Sequence, residues 1–207
     1  MLVVDLRGHG ECGGGACTAG YFERNDLGQV IDELRASRAG EAREIVLFGM
    51  SMGGAVALAT AAQRSDVAAV VADGVYADFK RASMRHMERS GLPGRWMQAA
   101  ALGVAEWMTG AKFDAVRPAD VIPTVGCPVL VIEACEDSLL GAADWALLEK
   151  AVGGRRAADG VSAMWRVDRV EHLMAIVADP KRYRERVAEF LAGAMKGEGA
   201  AEVVKAG

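Results

Sequence analysis

Ile45-Val46-Leu47-Phe48 runs directly into Gly49-Met50-Ser51-Met52-Gly53-Gly54, and Ala55 to Ala62 follows with hardly a polar atom. A short apolar run closed by glycines reads as a buried strand, and the small-residue stretch as a helix lying close against a sheet. Few folds accommodate so abrupt a change from strand to helix. Gly49 and Gly53 are expected there because a side chain would collide with the sharp turn. Such a turn thrusts Ser51 out above the sheet with a helix N-terminus behind it. Free N–H groups at that terminus favour negative charge, which places the Met52 N–H to stabilise an oxyanion. A serine that merely caps the helix is the plainer alternative.

The same alternation continues on both sides. Leu2 to Leu6 is an apolar run closed by Arg7-Gly8-His9-Gly10, read as a strand and turn. Leu27, Val30, Ile31 and Leu34 recur at helical spacing and predict a helix over Asn25 to Ser37. Val67 to Ala72 is a third strand. From Val75 to Ile122 no strand signal occurs. Helical stretches at Phe79–Arg89 and Arg95–Thr109 flank the breaker Gly91-Leu92-Pro93-Gly94. Beyond Pro123 come a strand at Pro128–Ile132, a helix at Ala142–Val152, a strand at Ser162–Val167 and a helix at Pro180–Ala194. Strands alternating with helices predict an α/β fold with a mostly parallel sheet covered on both faces. Residues 1–74 and 123–196 are the expected core, 75–122 an inserted helical lid, and 197–207 a fraying tail.

Composition removes several classes of function. With 24 Lys and Arg against 28 Asp and Glu, the net charge of −4 provides no basic face for nucleic acid. No apolar run approaches the ~18 residues of a membrane span. Cys12, Cys17, Cys127 and Cys135 lack metal-ligand spacing and are expected as free thiols; no metal or cofactor is implied. Met1 leads straight into Leu2-Val3-Val4-Asp5 with no basic signal region, so a cytoplasmic address is expected.

A nucleophilic serine needs a base, and there are three histidines. His86 falls in the helical excursion, on a solvated or packing face. His9 sits in the first loop, where a structural hydrogen bond is the simpler role. His172 follows the last strand, where parallel sheets place chemistry, and is the candidate general base and acid. The acid that orients it should lie between Ser51 and His172 in the chain. Asp137, just after the strand at Pro128–Ile132, is the first choice. Glu133 and Glu136 compete, with Asp73 further off.

These blocks together resemble the α/β-hydrolase superfamily, in its lid-bearing bacterial branch of esterases and peptidase-like hydrolases. VVDLRGHGECGG is similar to the loop after its fourth strand, GYFERNDLGQVIDEL to the next helix and GMSMGGAVAL to its nucleophile turn. RPADVIPTVGCPVLVIEACED resembles the approach to its catalytic acid, and VEHLMAIVADPKRYRERVAEFL its histidine loop and last helix. The resemblance implies an α/β-hydrolase fold, a Ser51–His172–Asp137 triad and Met52 as one oxyanion donor. Two departures accompany it. Glu133-Ala134 stands where many relatives have His-Gly, adding a carboxylate near Asp137. The strand carrying the second oxyanion donor would precede Leu2, so the chain reads as an N-terminally truncated form of the fold. Three outcomes follow: a piece of a longer protein, a poorly folding product, or Leu2–Leu6 pairing directly with Ile45–Phe48 in a smaller sheet.

The expected function is hydrolysis of a small-molecule acyl ester, or a related thioester, through an acyl-enzyme. The alternative is an impaired fragment or pseudoenzyme with half an oxyanion hole. Met84, Met87, Trp96, Met97, Trp107 and Met108 are candidates to line an acyl slot, or simply to pack the lid on the sheet.

Overall fold

A computed structural model describes residues 1–195 apart from 14, 92 and 93. The expected tail at 197–207, and Leu92-Pro93 of the predicted break, lie outside the described residues.

Four strands form one parallel sheet in chain order: β1 (Ile45–Met50), β2 (Val67–Asp73), β3 (Val129–Ala134) and β4 (Ala163–Val167). The central pair, β2 and β3, is built from Val, Ile, Leu and Ala at almost every position, as burial on both faces requires. Pleating sends alternate residues to opposite sides. Val129 and Val131 join the cluster that holds Ile31 of α1 (Glu23–Ser37), Leu58 of α2 (Met52–Ala61) and Leu148 of α6 (Ala142–Asp159). Leu130 and Ile132 face Tyr183 and Phe190 of α8 (Pro180–Ala194). Between β2 and β3 lie α3 (Phe79–Arg89), α4 (Arg95–Thr109) and a short α5 (Pro118–Val121). A four-residue α7 (Ala175–Ala178) precedes α8.

Two expectations are corrected. Leu2–Leu6 is not a strand: it forms no ladder, and Leu2 and Val3 are 56% and 79% exposed. Apolar composition favours a strand only where a neighbouring edge lies within about 5 Å, and β1 is not that neighbour. A cleft of about 490 Å³ separates the two, lined by Leu2 and Val4 on one side and Ile45 to Leu47 on the other. The smaller sheet therefore exists without the first segment, and β1 is its edge. The second correction is to α6, which runs to Asp159 through Gly153-Gly154 instead of stopping at Val152. Leu148, Ala151 and Val152 pin it to the core, and packing outweighs the cost of about 1 kcal/mol per helical glycine. It ends at Gly160, which takes the left-handed conformation with φ 68°.

Candidate active site

The turn after β1 is held by backbone contacts. The Ser51 N–H donates to the Asp73 carbonyl at 2.7 Å, tying the turn to the end of β2. Ser51 itself adopts φ 51°, ψ −119°, a strained conformation for a side-chain-bearing residue. Gly49 is obligatory, since a Cβ there would lie 2.1 Å from the Gly53 carbonyl oxygen. The same expectation fails at Gly53, whose Cβ position faces open space; Gly54 is the tight one, 3.2 Å from the Val75 Cβ. Glycine at 54 lets α2 approach the sheet closely.

Three strand ends bring the predicted residues together. Ser51 follows β1, Asp137 follows β3 and His172 follows β4. His172 Nδ1 lies 2.5 Å from Asp137 Oδ2, and His172 Nε2 lies 3.2 Å from Ser51 Oγ. The other Asp137 oxygen, Oδ1, accepts the N–H groups of Leu139 (2.7 Å) and Leu140 (3.0 Å). A carboxylate only accepts, so the ring donates from Nδ1 and Nε2 is left to accept the Ser51 hydroxyl. The Asp137 side chain is fully buried, whereas that of His172 is 17% exposed.

The competing acids lie elsewhere. Glu136 is exposed. Asp73 is buried and accepts the Tyr183 hydroxyl at 2.7 Å; burial raises its pKa against that hydrogen bond. Glu133 is fully buried with neither oxygen hydrogen-bonded among the described residues, and its pKa is raised well above the carboxylate range by burial and by Asp137, Asp73 and Asp144. His9 accepts no catalytic geometry: its Nδ1 lies 3.0 Å from the Arg7 carbonyl.

Two supports were not read from the sequence. Gly74 (φ +62°) sits under the histidine loop, where a Cβ would come within 2.7 Å of Leu173 Cδ2 and 3.0 Å of His172 Cε1. The strand-ending Asp73-Gly74 pair was its only signal. Glu23, fully buried, accepts from the Thr18 N–H, the Thr18 hydroxyl and the Gly20 N–H and so fixes residues 18–20. That loop leads back to Cys17, whose Sγ lies 3.3 Å from Met52 Sδ; burial pushes this thiol pKa up. All four cysteines are free.

A cleft of about 360 Å³ opens from Ser51 and His172, walled by Tyr76, Phe79, Ala82, Met87, Leu139 and Leu140. Its α3 wall uses positions 79, 82, 83, 86 and 87, one face of the helix at i, i+3, i+4, i+7 and i+8. His86, expected on a solvated or packing face, is among the residues that line the cleft. Of the methionines and tryptophans named as acyl-slot candidates, Met87 lines the cleft, whereas Trp96, Trp107 and Met108 are exposed.

A parallel α/β sheet carrying Ser, Asp and His beyond the C-terminal ends of β1, β3 and β4, with the serine in a strained strand-to-helix turn, defines a recognisable class of protein. Its family is set by comparison: the profile described as "Alpha/beta hydrolase family" matches residues 1–207, and the chain belongs to that family. It is 29% identical over 194 residues to the uncharacterised protein YqkD of Bacillus subtilis, covering 92% of this chain and 61% of YqkD. The chain thus spans less than two thirds of that relative. The Pyrococcus furiosus esterase Pf2001 superposes with TM-score 0.71 at 21% identity, over 90% of this chain and 68% of the esterase. A lipase-esterase related protein from Clostridium acetobutylicum superposes with TM-score 0.58 at 20% identity, over 90% and 81%. Among the described residues, no helix is long and apolar enough to cross a membrane.

Proposed function

We propose that this protein is a serine hydrolase that cleaves small acyl esters through Ser51, His172 and Asp137. The observation that carries the reading is the continuous path from Asp137 Oδ2 through His172 to Ser51 Oγ, at 2.5 and 3.2 Å. Ser51 Oγ attacks the ester carbonyl carbon while its proton passes to His172 Nε2. The carbonyl electrons move onto oxygen, where the Met52 N–H donates to the oxyanion. Collapse breaks the bond to the alcohol, which leaves with the proton held by His172. Water then repeats the sequence on the acyl-enzyme, releasing the acid and restoring Ser51.

The apolar cleft beside Ser51 suits the hydrocarbon part of a short to medium acyl chain. Hydrolysis of p-nitrophenyl esters of increasing chain length tests both halves of the proposal. Turnover should rise and then fall with length, and Ala82→Trp should move the optimum to shorter chains with butyrate and acetate hydrolysis largely kept. A flat profile unchanged by that substitution would remove the cleft from the account. Gly74→Ala probes the support of the histidine. A Cβ at φ +62° costs roughly 1 kcal/mol and pushes on the His172 ring, and misplacement of about 1 Å can cost about 10²-fold in rate. Thermal unfolding and kcat should therefore both fall; unchanged kcat would show the loop absorbs the contact.

The unpaired outer edge of β1 favours a second reading, the impaired fragment, in which the same triad turns over slowly for want of a second oxyanion donor. Losing one such donor costs about 10²–10³ in kcat. Under that reading the ester series gives slow steady turnover at every chain length, because acylation and deacylation both pass through an oxyanion.

A further inference from the structure

The acid that orients His172 sits in an irregular loop, residues 135–141, between β3 and α6. Asp137 Oδ1 accepts the N–H groups of Leu139 and Leu140, and these two bonds keep Oδ2 on His172 Nδ1. The set of the carboxylate therefore depends on how two peptide groups are turned. Leu140 is only 2% exposed, and a carbonyl buried with it needs a protein partner. That partner comes from outside the loop: Arg85 Nη1 of α3 donates to the Leu140 carbonyl at 3.0 Å.

Two further features build the contact. The guanidinium lies against Gly141, where a Cβ would stand 2.1 Å from Arg85 Nη2 and 2.5 Å from Cζ. Gly141 has φ −148° and ψ 177°, an extended conformation that any L-residue adopts, so the arginine and not the turn requires glycine there. One turn earlier on α3, Arg81 Nε pairs with Asp144 Oδ1 at 3.3 Å, in the first turn of α6. Arg81 and Arg85, at i and i+4, thus face the acid loop and α6. Ala82 and His86, next to them round the helix, line the cleft. One helix both walls the cleft and holds the loop that carries the acid.

We propose that Arg85 is a positioning residue of the triad: its bond to the Leu140 carbonyl sets the N–H groups of residues 139 and 140, which set Asp137 and, through it, the His172 tautomer. This role rests on the serine-hydrolase function proposed above. Arg85 is not among the residues that line the cleft, and it acts through the loop. A planar guanidinium suits the place, because one N–H can be aimed at the carbonyl while the flat group lies on the Gly141 backbone. Without it the Leu140 carbonyl turns toward water, the two N–H groups turn with the loop, and Oδ2 leaves Nδ1.

The test compares Arg85→Met, which keeps an apolar stem without the guanidinium, with Gly141→Ala, which keeps Arg85 and blocks its seat. Turnover of p-nitrophenyl acetate is one readout. The other is long-range proton–nitrogen correlation of the His172 ring, which reports the tautomer whether or not the chain hydrolyses esters. In both variants kcat should fall about tenfold to 10²-fold with KM little changed, since misplacement of about 1 Å is enough for that loss. The ring should pass from the Nδ1–H form to a mixture of tautomers. Arg81→Met cuts only the neighbouring pair with Asp144 and should leave kcat and tautomer as in the parent. Circular dichroism and melting temperature report the folding of each variant. Unchanged kcat and tautomer in Arg85→Met and Gly141→Ala would overturn the proposal, as would a parent ring outside the Nδ1–H form. So would an equal loss in Arg81→Met, which would make Arg85 one more anchor of α3. A parent in the Nδ1–H form without turnover, with variants that lose that form, would keep the positioning role and count against the hydrolase function instead.

Discussion

Asp137→Asn should lower ester turnover by about 10³–10⁴ while leaving the fold nearly unchanged. The reason lies in how the carboxylate is divided. Oδ1 accepts two backbone N–H groups, from Leu139 and Leu140, and Oδ2 faces His172 Nδ1. In the variant the amide oxygen would keep the two backbone bonds, so its NH₂ must point at the imidazole. Nδ1 then accepts, the ring proton moves to Nε2, and Nε2 can no longer take the Ser51 proton. Melting temperature and kcat measured on the same preparation check the separation. A large loss of stability, or turnover within tenfold of the parent, would mean that Asp137 does not hold the tautomer.

Glu133 predicts the largest change in stability. It is fully buried in β3, has no hydrogen-bond partner at either oxygen among the described residues, and feels the charges of Asp137, Asp73 and Asp144. Burying an unsatisfied polar group costs about 1–3 kcal/mol, so Glu133→Leu should stabilise the protein by about 2 kcal/mol. The pH dependence has a definite sign. The folded-state pKa is raised, so the folded chain keeps a proton that the unfolded chain releases in the ordinary carboxylate range. The stability this proton provides is complete below that range and is lost as pH rises through the folded-state value. Denaturant titrations from about pH 5 to about pH 9 should show this decline, and Glu133→Gln, neutral throughout, should flatten it. A parent and a Gln variant with parallel curves would show that Glu133 finds a partner in solution.

Much of this was legible in the residues. Strands β1 to β4 and helices α2, α3, α4 and α8 follow from runs of apolar residues broken by Gly and Pro, because burial dictates both. Ser51, Asp137 and His172 could be named because each follows a strand in the order the fold requires. Two of the errors share a physical source: hydrophobicity shows what tends to be buried, not whether a partner exists. Leu2–Leu6 has strand composition but no adjacent edge. Trp96, Trp107 and Met108 read as packing before acyl contacts, and they face outward instead. Gly53 looked sterically required by its place in the pentapeptide, whereas the tight approaches fall at Gly49 and Gly54. Gly74 and Glu23 act on loops distant or irregular in the chain, and periodicity carries no record of such contacts.

The central claim is that Ser51 is a nucleophile activated by His172, and covalent labelling tests it most directly. The chain should be incubated with a fluorophosphonate, digested, and the adduct mapped by mass spectrometry. The account predicts one phosphonylated peptide, the one bearing Ser51, with no adduct in Ser51→Ala and very slow labelling in His172→Ala. A folded chain that takes up no label, or labels elsewhere at an equal rate, would contradict it.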